Sequence, residues 1–270
     1  MRIAASTYLN SVPLVHSFAE GTRGKEVTFL GDTAPAQCAR MLEEGLCDAA
    51  LIPVIEYQRI PDLRIIPDIA VASKNRVRSV VLATRLPPSE VRAVTLDSSS
   101  RTSQTLLRIL FKYRYGSEPT FSERMPDAGV ACRNMFEGSD AALVIGDPAM
   151  RLEASARDLN VQIYDLAEEW RAMTGLPFVF AVWASTEGAR IEFPGMAAEL
   201  LEAKAEGLAR IDEIATQYSS ELQLPVSELR AYLRENVNYD LDAENVAGML
   251  RFFSLARECG LILEERPLKF

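Results

Sequence analysis

Hydrophobic and polar positions alternate along the chain in short blocks that predict strands and helices in turn. Period-two or fully apolar runs predict strands at 2–6, 25–30, 48–53, 63–66, 69–72, 77–83, 91–96, 119–123, 140–146, 161–164 and 176–183. Apolar residues at helical spacing predict helices at 12–19, 36–44, 103–114, 127–136, 166–173, 196–218, 225–234 and 242–259, with another beginning at Asp147-Pro148. Strands and helices in alternation, followed by a helical end, are typical of an α/β protein.

One pattern occurs twice. Residues 42–52 and 135–145 each contain a helix end, a glycine and then Asp-Ala-Ala-Leu at the start of a buried strand. A strand, a hydroxyl-rich loop and an apolar-striped helix precede both copies, so we predict two similar lobes: 1–86 with 176–270, and 87–175. We expect a ligand cleft between the lobes and a helical C-terminal segment, a layout that resembles the type II periplasmic-binding-protein fold.

The second hydroxyl-rich loop is the densest polar feature of the chain. The predicted strand at 91–96 is followed by five hydroxyl side chains and one cation, namely Ser98, Ser99, Ser100, Arg101, Thr102 and Ser103. A single Ser or Thr is enough to cap a helix, because its oxygen accepts one free N–H of the first turn. The hydroxyl groups beyond the one needed for a cap leave two interpretations. The loop is either an over-furnished cap, with more hydroxyls than a cap needs, in a solvated loop, or a pocket for a carboxylate or phosphate at a helix N-terminus.

The composition of the chain limits the kinds of partner that the protein is expected to bind. The 270 residues include 38 acids and 29 bases, a net charge of −9, and no basic block, so we expect no nucleic acid partner. No apolar run reaches the roughly 18 residues that span a bilayer, so we expect no membrane partner. The N-terminus enters a predicted strand without the apolar region of a secretory signal, and the four cysteines (Cys38, Cys47, Cys132, Cys259) lack metal spacing. We therefore expect a cytoplasmic protein with reduced thiols.

Seven segments, taken together and in order, resemble one enzyme family. They include Ser6-Thr7-Tyr8-Leu9-Asn10, Leu96-Asp97-Ser98-Ser99-Ser100-Arg101-Thr102-Ser103 and Ile145-Gly146-Asp147, with the others at 51–57, 77–82, 164–170 and 174–183. The set is similar to the chorismate dehydratases of the futalosine route to menaquinone. The related enzymes that make 1,4-dihydroxy-6-naphthoate fit less well. One departure is the segment 73–76, which lacks the glycine typical of a turn there.

The resemblance implies a hydro-lyase that removes water from chorismate, giving 3-[(1-carboxyvinyl)oxy]benzoate, without a metal or organic cofactor. It implies Asn10 and Ser79 as catalytic residues. It also implies a substrate-binding set that consists of Ser6, Tyr8, Ser99, Ser100, Arg101, Thr102, Ser103, Asp147 and Thr174. The substrate's own enolpyruvyl carboxylate would then accept the proton, with the amide of Asn10 aligning it.

Each of these residues also has a plainer interpretation. Asn10 could cap the first helix, Ser79 could be an ordinary strand residue, Asp147 could cap its own helix, and Thr174 could end one. His16, the single histidine, suits a structural role on the first helix better than the role of base. Two other protein classes stay open: a solute-binding protein for a small carboxylate, and the ligand-sensing part of a transcription regulator. The oligomeric state, monomer or homodimer, is also open.

Overall fold

The computed structural model describes residues 1–20, 23, 27–32, 34–127 and 130–270. The strands are β1 (Arg2–Ser6), β2 (Thr28–Asp32), β3 (Ala49–Pro53), β4 (Leu63–Ser73), β5 (Val80–Thr84), β6 (Ala93–Asp97), β7 (Thr120–Arg124), β8 (Ala141–Ile145), β9 (Gln162–Asp165) and β10 (Phe178–Thr186). The α-helices are α1 (Val12–Ala19), α2 (Pro35–Glu43), α3 (Glu56–Arg59), α4 (Arg101–Leu110), α5 (Gly146–Ala154), α6 (Leu166–Thr174), α7 (Glu187–Glu192), α8 (Met196–Ala209), α9 (Ile211–Leu222), α10 (Val226–Ala231) and α11 (Ala243–Glu258).

The strands form two five-stranded sheets with matching architecture. The first has the order β2-β1-β3-β10-β4 and the second the order β7-β6-β8-β5-β9. In each sheet the first three strands of the order pair in parallel. The fourth strand, β10 in the first sheet and β5 in the second, pairs antiparallel with the strands on both sides of it. Helices cover both sheets, and the predicted two-lobed α/β fold is confirmed.

The repeated Asp-Ala-Ala-Leu pattern corresponds to the same place in both sheets. The strand that follows each aspartate, β3 or β8, lies between a parallel and an antiparallel neighbour. Asp48 Oδ2 accepts the backbone N–H of Arg2 at 2.6 Å, and Asp140 Oδ2 accepts that of Arg92 at 2.9 Å. The two carboxylates therefore fasten equivalent strand starts, and the sequence echo reflects a shared structural role.

The first crossing between the lobes lies earlier than predicted. Val80–Thr84 pairs with β8 and β9, so β5 belongs to the second sheet and the crossing occupies residues 74–79. The predicted boundary at residue 86 instead falls inside the second lobe. Arg78 stabilises the crossing from both sides, because its guanidinium bonds Glu153 of α5 at 3.0 Å and also pairs with Glu228 of α10.

Several predicted elements differ in extent. The runs at 63–66 and 69–72 form one strand, and the predicted helix at 196–218 divides at Arg210, whose φ of −105° and ψ of 16° are not helical. The predicted helix at 127–136 is a 3₁₀ segment, Val130–Phe136, and its residues 128–129 lie outside the described residues, as do residues 25–26 of the second predicted strand. The α4 helix begins at Arg101 and continues as a π-helical turn, Phe111–Tyr115, and α7 was not predicted.

The chain returns from the second lobe to the first in the segment between α6 and β10, and the C-terminal helix α11 covers this segment. The indole N–H of Trp170 donates to the Pro177 carbonyl at 3.0 Å, and the rings of Trp170 and Phe178 lie 5.3 Å apart in an edge-on contact. Phe252 of α11 packs on Phe178 with ring centroids 5.0 Å apart. These aromatic contacts join residues of both lobes into one hydrophobic core. In the described part of the chain, no helix combines the length and apolarity needed to span a membrane.

The contact between α8 and α1 supplies a test of the packing. A Cβ atom added at Gly207 would lie 1.8 Å from the Pro13 carbonyl oxygen, whereas one added at Gly188 of α7 meets nothing within 4 Å. We expect Gly207→Ala to lower the free energy of unfolding by about 1–3 kcal/mol or more, because the helices must separate. Gly188→Ala, the matched control, should be neutral or slightly stabilising. Equal stabilities in chemical denaturation would contradict the close approach of α8 to α1.

Candidate active site

A cavity lined by residues of both sheets lies between the two lobes. The first lobe lines it with Ser6, Tyr8, Asn10 and Ser11, and the second with Ser100, Arg101, Thr102 and Ser103. The other side chains that line it are apolar, chiefly Leu51, Pro53, Val71, Val80, Ile145 and Phe180. The cavity therefore has a polar end in each lobe and apolar walls between them.

Helix starts from both lobes meet this cavity. The residues before α1, at the start of α2 and across the first turn of α4 all line it, and so does Gly146, the first residue of α5. A helix start carries free N–H groups and the positive end of the helix dipole. The carboxyl ends of the parallel strands in both sheets are the usual place for such sites. This arrangement favours an anionic ligand with one acidic group toward each lobe.

A buried carboxylate organises the second lobe's side. Asp97, fully buried at the end of β6, accepts the N–H and the hydroxyl of Ser99 at 2.9 and 2.6 Å. Its other oxygen accepts the backbone N–H of Ile145 at 3.3 Å, which ties the start of α4 to the start of α5. Burial raises the pKa of Asp97, and these donors counteract the rise.

The hydroxyls of the α4 loop have different tasks. Ser99 is bonded to Asp97, and Ser100 caps the helix by accepting the Ser103 N–H at 3.3 Å. The Thr102 hydroxyl accepts a backbone N–H from the first lobe at 3.3 Å. The Ser103 hydroxyl lines the cavity without such a commitment among the described residues. The over-furnished cap is therefore only a partial explanation, since Ser100 caps the helix whereas Ser99, Thr102 and Ser103 serve the fold, the contact between the lobes and the cavity.

Arg101 is the cation of the cavity wall. It is the first residue of α4 and is partly exposed to the cavity. Its guanidinium has no ion pair within the part of the chain that the structure describes, although acids outnumber bases 38 to 29. An unpaired Arg at a helix start is suited to a bidentate bond with a carboxylate.

On the first lobe's side, Asn10 presents an amide to the cavity. Its Oδ1 accepts the Ser11 hydroxyl at 3.2 Å, which leaves the Nδ2 hydrogens available to a ligand. The N-cap residue of α1 is Ser11, which makes no side-chain capping bond, and the structure has no such bond from Asn10 either. Burial, and next the charge of Asp97, raise the pKa of Tyr8 to about 12, so its hydroxyl stays a donor at neutral pH.

Ser79 does not line the cavity. It is fully buried, its Oγ accepts the hydroxyl of Tyr232 at 2.8 Å, and its carbonyl accepts the N–H of Gly146 at 2.7 Å. Ser79, which was predicted to be catalytic, therefore lies behind the cavity wall, where its carbonyl supports Gly146. The fully buried Tyr232 hydroxyl has Ser79 as its partner.

Three other predicted ligands also lie outside the cavity lining. Thr174 donates its hydroxyl to the Trp170 carbonyl at 2.9 Å and ends α6, as its plainer interpretation anticipated. Asp147 accepts the N–H of Leu9 at 3.0 Å, and Ser99 is bonded to its own loop. Each of these side chains therefore bonds to a group of the protein itself.

The apolar walls of the cavity were not predicted from the sequence. Pro53 and Phe180 lie within segments that supported the family resemblance, so their motifs were a usable signal. No feature of the sequence singled out Val71, because many buried valines occur in strands. His16 is buried on α1 and lies away from this cavity, beside Tyr218.

Metal ligands are not clustered in the described residues: no group of three or more His, Cys, Asp or Glu side chains is placed to hold an ion. All four cysteines are unpaired, and Cys38, Cys47 and Cys132 are buried. Burial raises the pKa of the Cys38 thiol to about 12, so it stays protonated at neutral pH.

Comparisons with known proteins give both sequence and fold relatives. A family model described as menaquinone biosynthesis matches residues 1–258. The chain is 31% identical to the chorismate dehydratase of Thermus thermophilus, over 91% of each chain. A solved structure from Archaeoglobus fulgidus is similar with a TM-score of 0.76 and 17% identity, covering 97% of this chain and 98% of that one. The alkanesulfonate-binding protein SsuA from Xanthomonas axonopodis pv. citri, bound to MOPS, has a TM-score of 0.72 and 16% identity, covering 99% and 95%.

The buried hydroxyl pair predicts a coupled effect on stability. Ser79→Ala should lower the free energy of unfolding by about 1–3 kcal/mol, because it leaves the Tyr232 hydroxyl buried without a partner. Tyr232→Phe in the same background should restore part of that loss, since both polar groups are then absent. Chemical denaturation of the two single variants and the double variant measures the coupling. Strictly additive losses would contradict a hydrogen bond between the two hydroxyls.

Proposed function

The chain belongs to the menaquinone-biosynthesis family, which confirms the resemblance found in its segments, and we propose that it removes water from chorismate to give 3-[(1-carboxyvinyl)oxy]benzoate. The observation that carries this proposal is the cavity itself, in which polar groups of both lobes face each other across apolar walls. Chorismate has a ring carboxylate and an enolpyruvyl carboxylate, and these two anions match the two polar ends.

We assign one carboxylate to each lobe. Arg101, Ser103 and the first turn of α4 offer charge-assisted and neutral donors to one of them. Asn10, ahead of α1, offers the hydrogens of its Nδ2 to the other. The ring then packs against Val80, Ile145 and Phe180, among other apolar residues. In a protein of net charge −9, these local donors must hold the ligand against the overall field.

The elimination needs a proton acceptor. The ring carbon that bears the enolpyruvyl ether loses its proton, and the electron pair of the broken C–H bond forms the new double bond of the aromatic ring. The neighbouring carbon loses its hydroxyl group, so the reaction removes one water in total. Among the described residues that line the cavity there is no Asp, Glu, His or Lys, and Tyr8 stays protonated because its pKa is raised to about 12. This supports the substrate's enolpyruvyl carboxylate as the acceptor, oriented by Asn10.

Charge must also be stabilised as the C–H bond breaks. Loss of the ring proton places negative charge on the ring carboxylate, to which the carbon is conjugated through the ring alkene. A carboxylate held by Arg101 and the start of α4 would have its developing charge opposed by a cation and a helix dipole. We therefore assign the ring carboxylate to the second lobe and the enolpyruvyl carboxylate to the first.

The direct test is incubation of the purified protein with chorismate, followed by chromatography and ultraviolet spectra of the products. We expect chorismate to disappear and one new aromatic product to form, with the mass of chorismate less one water. A solute-binding protein, the alternative function on this fold, would return chorismate unchanged while binding it. That result would overturn the proposed function.

We also propose that the protein is cytoplasmic. The four unpaired cysteines, three of them buried, support a reducing compartment.

Replacing Arg101 tests the carboxylate assigned to the second lobe. Arg101→Ala should weaken the binding of the substrate or a product analogue by about 2–5 kcal/mol, because a carboxylate enclosed in the cavity loses its charged partner. The affinity of Arg101→Lys should lie between those of the wild type and Arg101→Ala, because lysine keeps the positive charge but cannot form the bidentate bond of a guanidinium. Calorimetry with the product measures the affinities.

The matched control is Arg108→Ala, on the same helix. Arg108 packs over the ring of Phe121 at 4.1 Å and does not line the cavity. Its affinity for the product should equal that of the wild type. If Arg101→Ala binds as tightly as this control does, Arg101 does not contact the ligand.

Replacing Asn10 tests how the proton acceptor is oriented. Asn10→Asp should lower kcat more than a hundredfold with thermal stability kept, because a second negative charge then faces the substrate carboxylate. Asn10→Ala should also lose most turnover. The same change at the exposed turn residue Asn160, Asn160→Asp, should leave kcat unaltered.

A base supplied by the substrate also leaves kcat without a side-chain limb at neutral pH. We expect the kcat profile to be flat from about pH 6.5 to 8.5. A limb in that range that disappears in a His16→Gln variant would identify His16 as the base and contradict the assignment to the substrate.

A further inference from the structure

Three hydrogen bonds join the lobes next to residues that line the cavity. The Leu9 N–H of the first lobe donates to Asp147 Oδ1 of the second at 3.0 Å. The Ile55 N–H donates to the Thr102 hydroxyl at 3.3 Å, and the Ala36 N–H donates to the Ser99 carbonyl at 3.3 Å. In all three bonds the first lobe supplies a backbone donor and the second an acceptor.

We propose that Asp147 is a positioning residue, which orients the Asn10 amide by holding the Leu9 peptide, rather than a ligand of the substrate. This inference rests on the proposed role of Asn10 in chorismate dehydration. Asp147 is 8% exposed, does not line the cavity, and forms no ion pair within the described part of the chain. Its recorded hydrogen bond goes to the residue immediately before Asn10.

A second contact secures the same loop. Gly146 has a φ of +63°, and a Cβ atom there would lie 2.6 Å from the Tyr8 ring. Consecutive residues at the start of α5, Gly146 and Asp147, therefore contact consecutive residues of the first lobe, Tyr8 and Leu9. The loop that carries Asn10 belongs to the first lobe, yet the second lobe also holds it in place.

This arrangement couples the meeting of the lobes to the chemistry. When the Leu9 N–H reaches Asp147, the Asn10 amide faces the same volume as Arg101 and the start of α4. Burial raises the pKa of Asp147 to about 6, so the carboxylate is kept in an environment that opposes its charge. Such an unfavourable placement is consistent with a group retained for position.

The side chain offers a clean substitution series. Asp147→Asn keeps an oxygen that can accept the Leu9 N–H, and the other carboxylate oxygen has no recorded donor that the new amide would oppose. Asp147→Ala removes the acceptor. Asp140→Ala is the matched control, because Asp140 also accepts backbone N–H groups, of Arg92 and Ala93, but entirely within the second lobe.

The experiment measures kcat and KM for chorismate, and the hydrogen exchange of the Leu9 amide in the ligand-free protein. Asp147→Ala should lower kcat more than tenfold with KM changed less than threefold, because the Arg101 contact is intact. Its Leu9 amide should exchange at least tenfold faster. Asp147→Asn should recover most of kcat and of the protection. Asp140→Ala should keep the kcat and Leu9 protection of the wild type.

Three results would overturn the inference: a rise in KM with kcat unchanged, an Asp147→Asn variant as impaired as Asp147→Ala, or Leu9 exchange equal in all four proteins. The exchange measurement needs no substrate, so it tests whether Asp147 holds the Leu9 peptide even if the wild type leaves chorismate unchanged. That outcome would count against the proposed function alone.

Discussion

The buried carboxylate of Asp97 is the interaction on which the second lobe's side of the cavity depends. It fixes the α4 loop through Ser99 and holds the end of β8 through the Ile145 N–H. Two helix starts are thereby placed side by side at the carboxyl ends of neighbouring strands. Burying such a charge is unfavourable unless donors surround it, and the three bonds to Asp97 are those donors.

The first lobe repeats this construction with a neutral group. The Ser6 hydroxyl, at the end of β1, accepts the N–H two residues ahead at 3.3 Å, as Asp97 does at the end of β6. The charged version lies in the lobe that also carries Arg101, which has no ion pair among the described residues, and the neutral version lies beside Asn10. The two polar ends of the cavity are therefore built on one backbone plan but differ in charge, which agrees with unequal tasks for two substrate carboxylates.

The sequence pattern was sufficient to predict the two-lobed α/β fold. The Asp-Ala-Ala-Leu echo predicted two lobes, and its aspartates prove to fasten equivalent strands. Local pattern could not assign β5 to its lobe, because strand membership depends on pairing with β8 and β9, which are distant in sequence. The break at Arg210 was likewise hidden, since the apolar stripe continues across it.

The individual hydroxyls show the limit most clearly. Ser99, Ser100 and Ser103 are alike in sequence, and only tertiary contacts separate the one bonded to Asp97 from the cap and the one free to face a ligand. Asp147 was predicted beside the substrate, yet its partner is a peptide 138 positions away. Contacts of that separation leave no periodic trace in a single sequence.

The central claim is that each lobe holds one carboxylate of the ligand. The most direct measurement is a crystal structure of the protein with bound 3-[(1-carboxyvinyl)oxy]benzoate. We expect the ring carboxylate within hydrogen-bonding distance of the Arg101 guanidinium and the start of α4, with the enolpyruvyl carboxylate at the Asn10 amide. Both carboxylates on the second lobe, or the product bound outside this cavity, would contradict it.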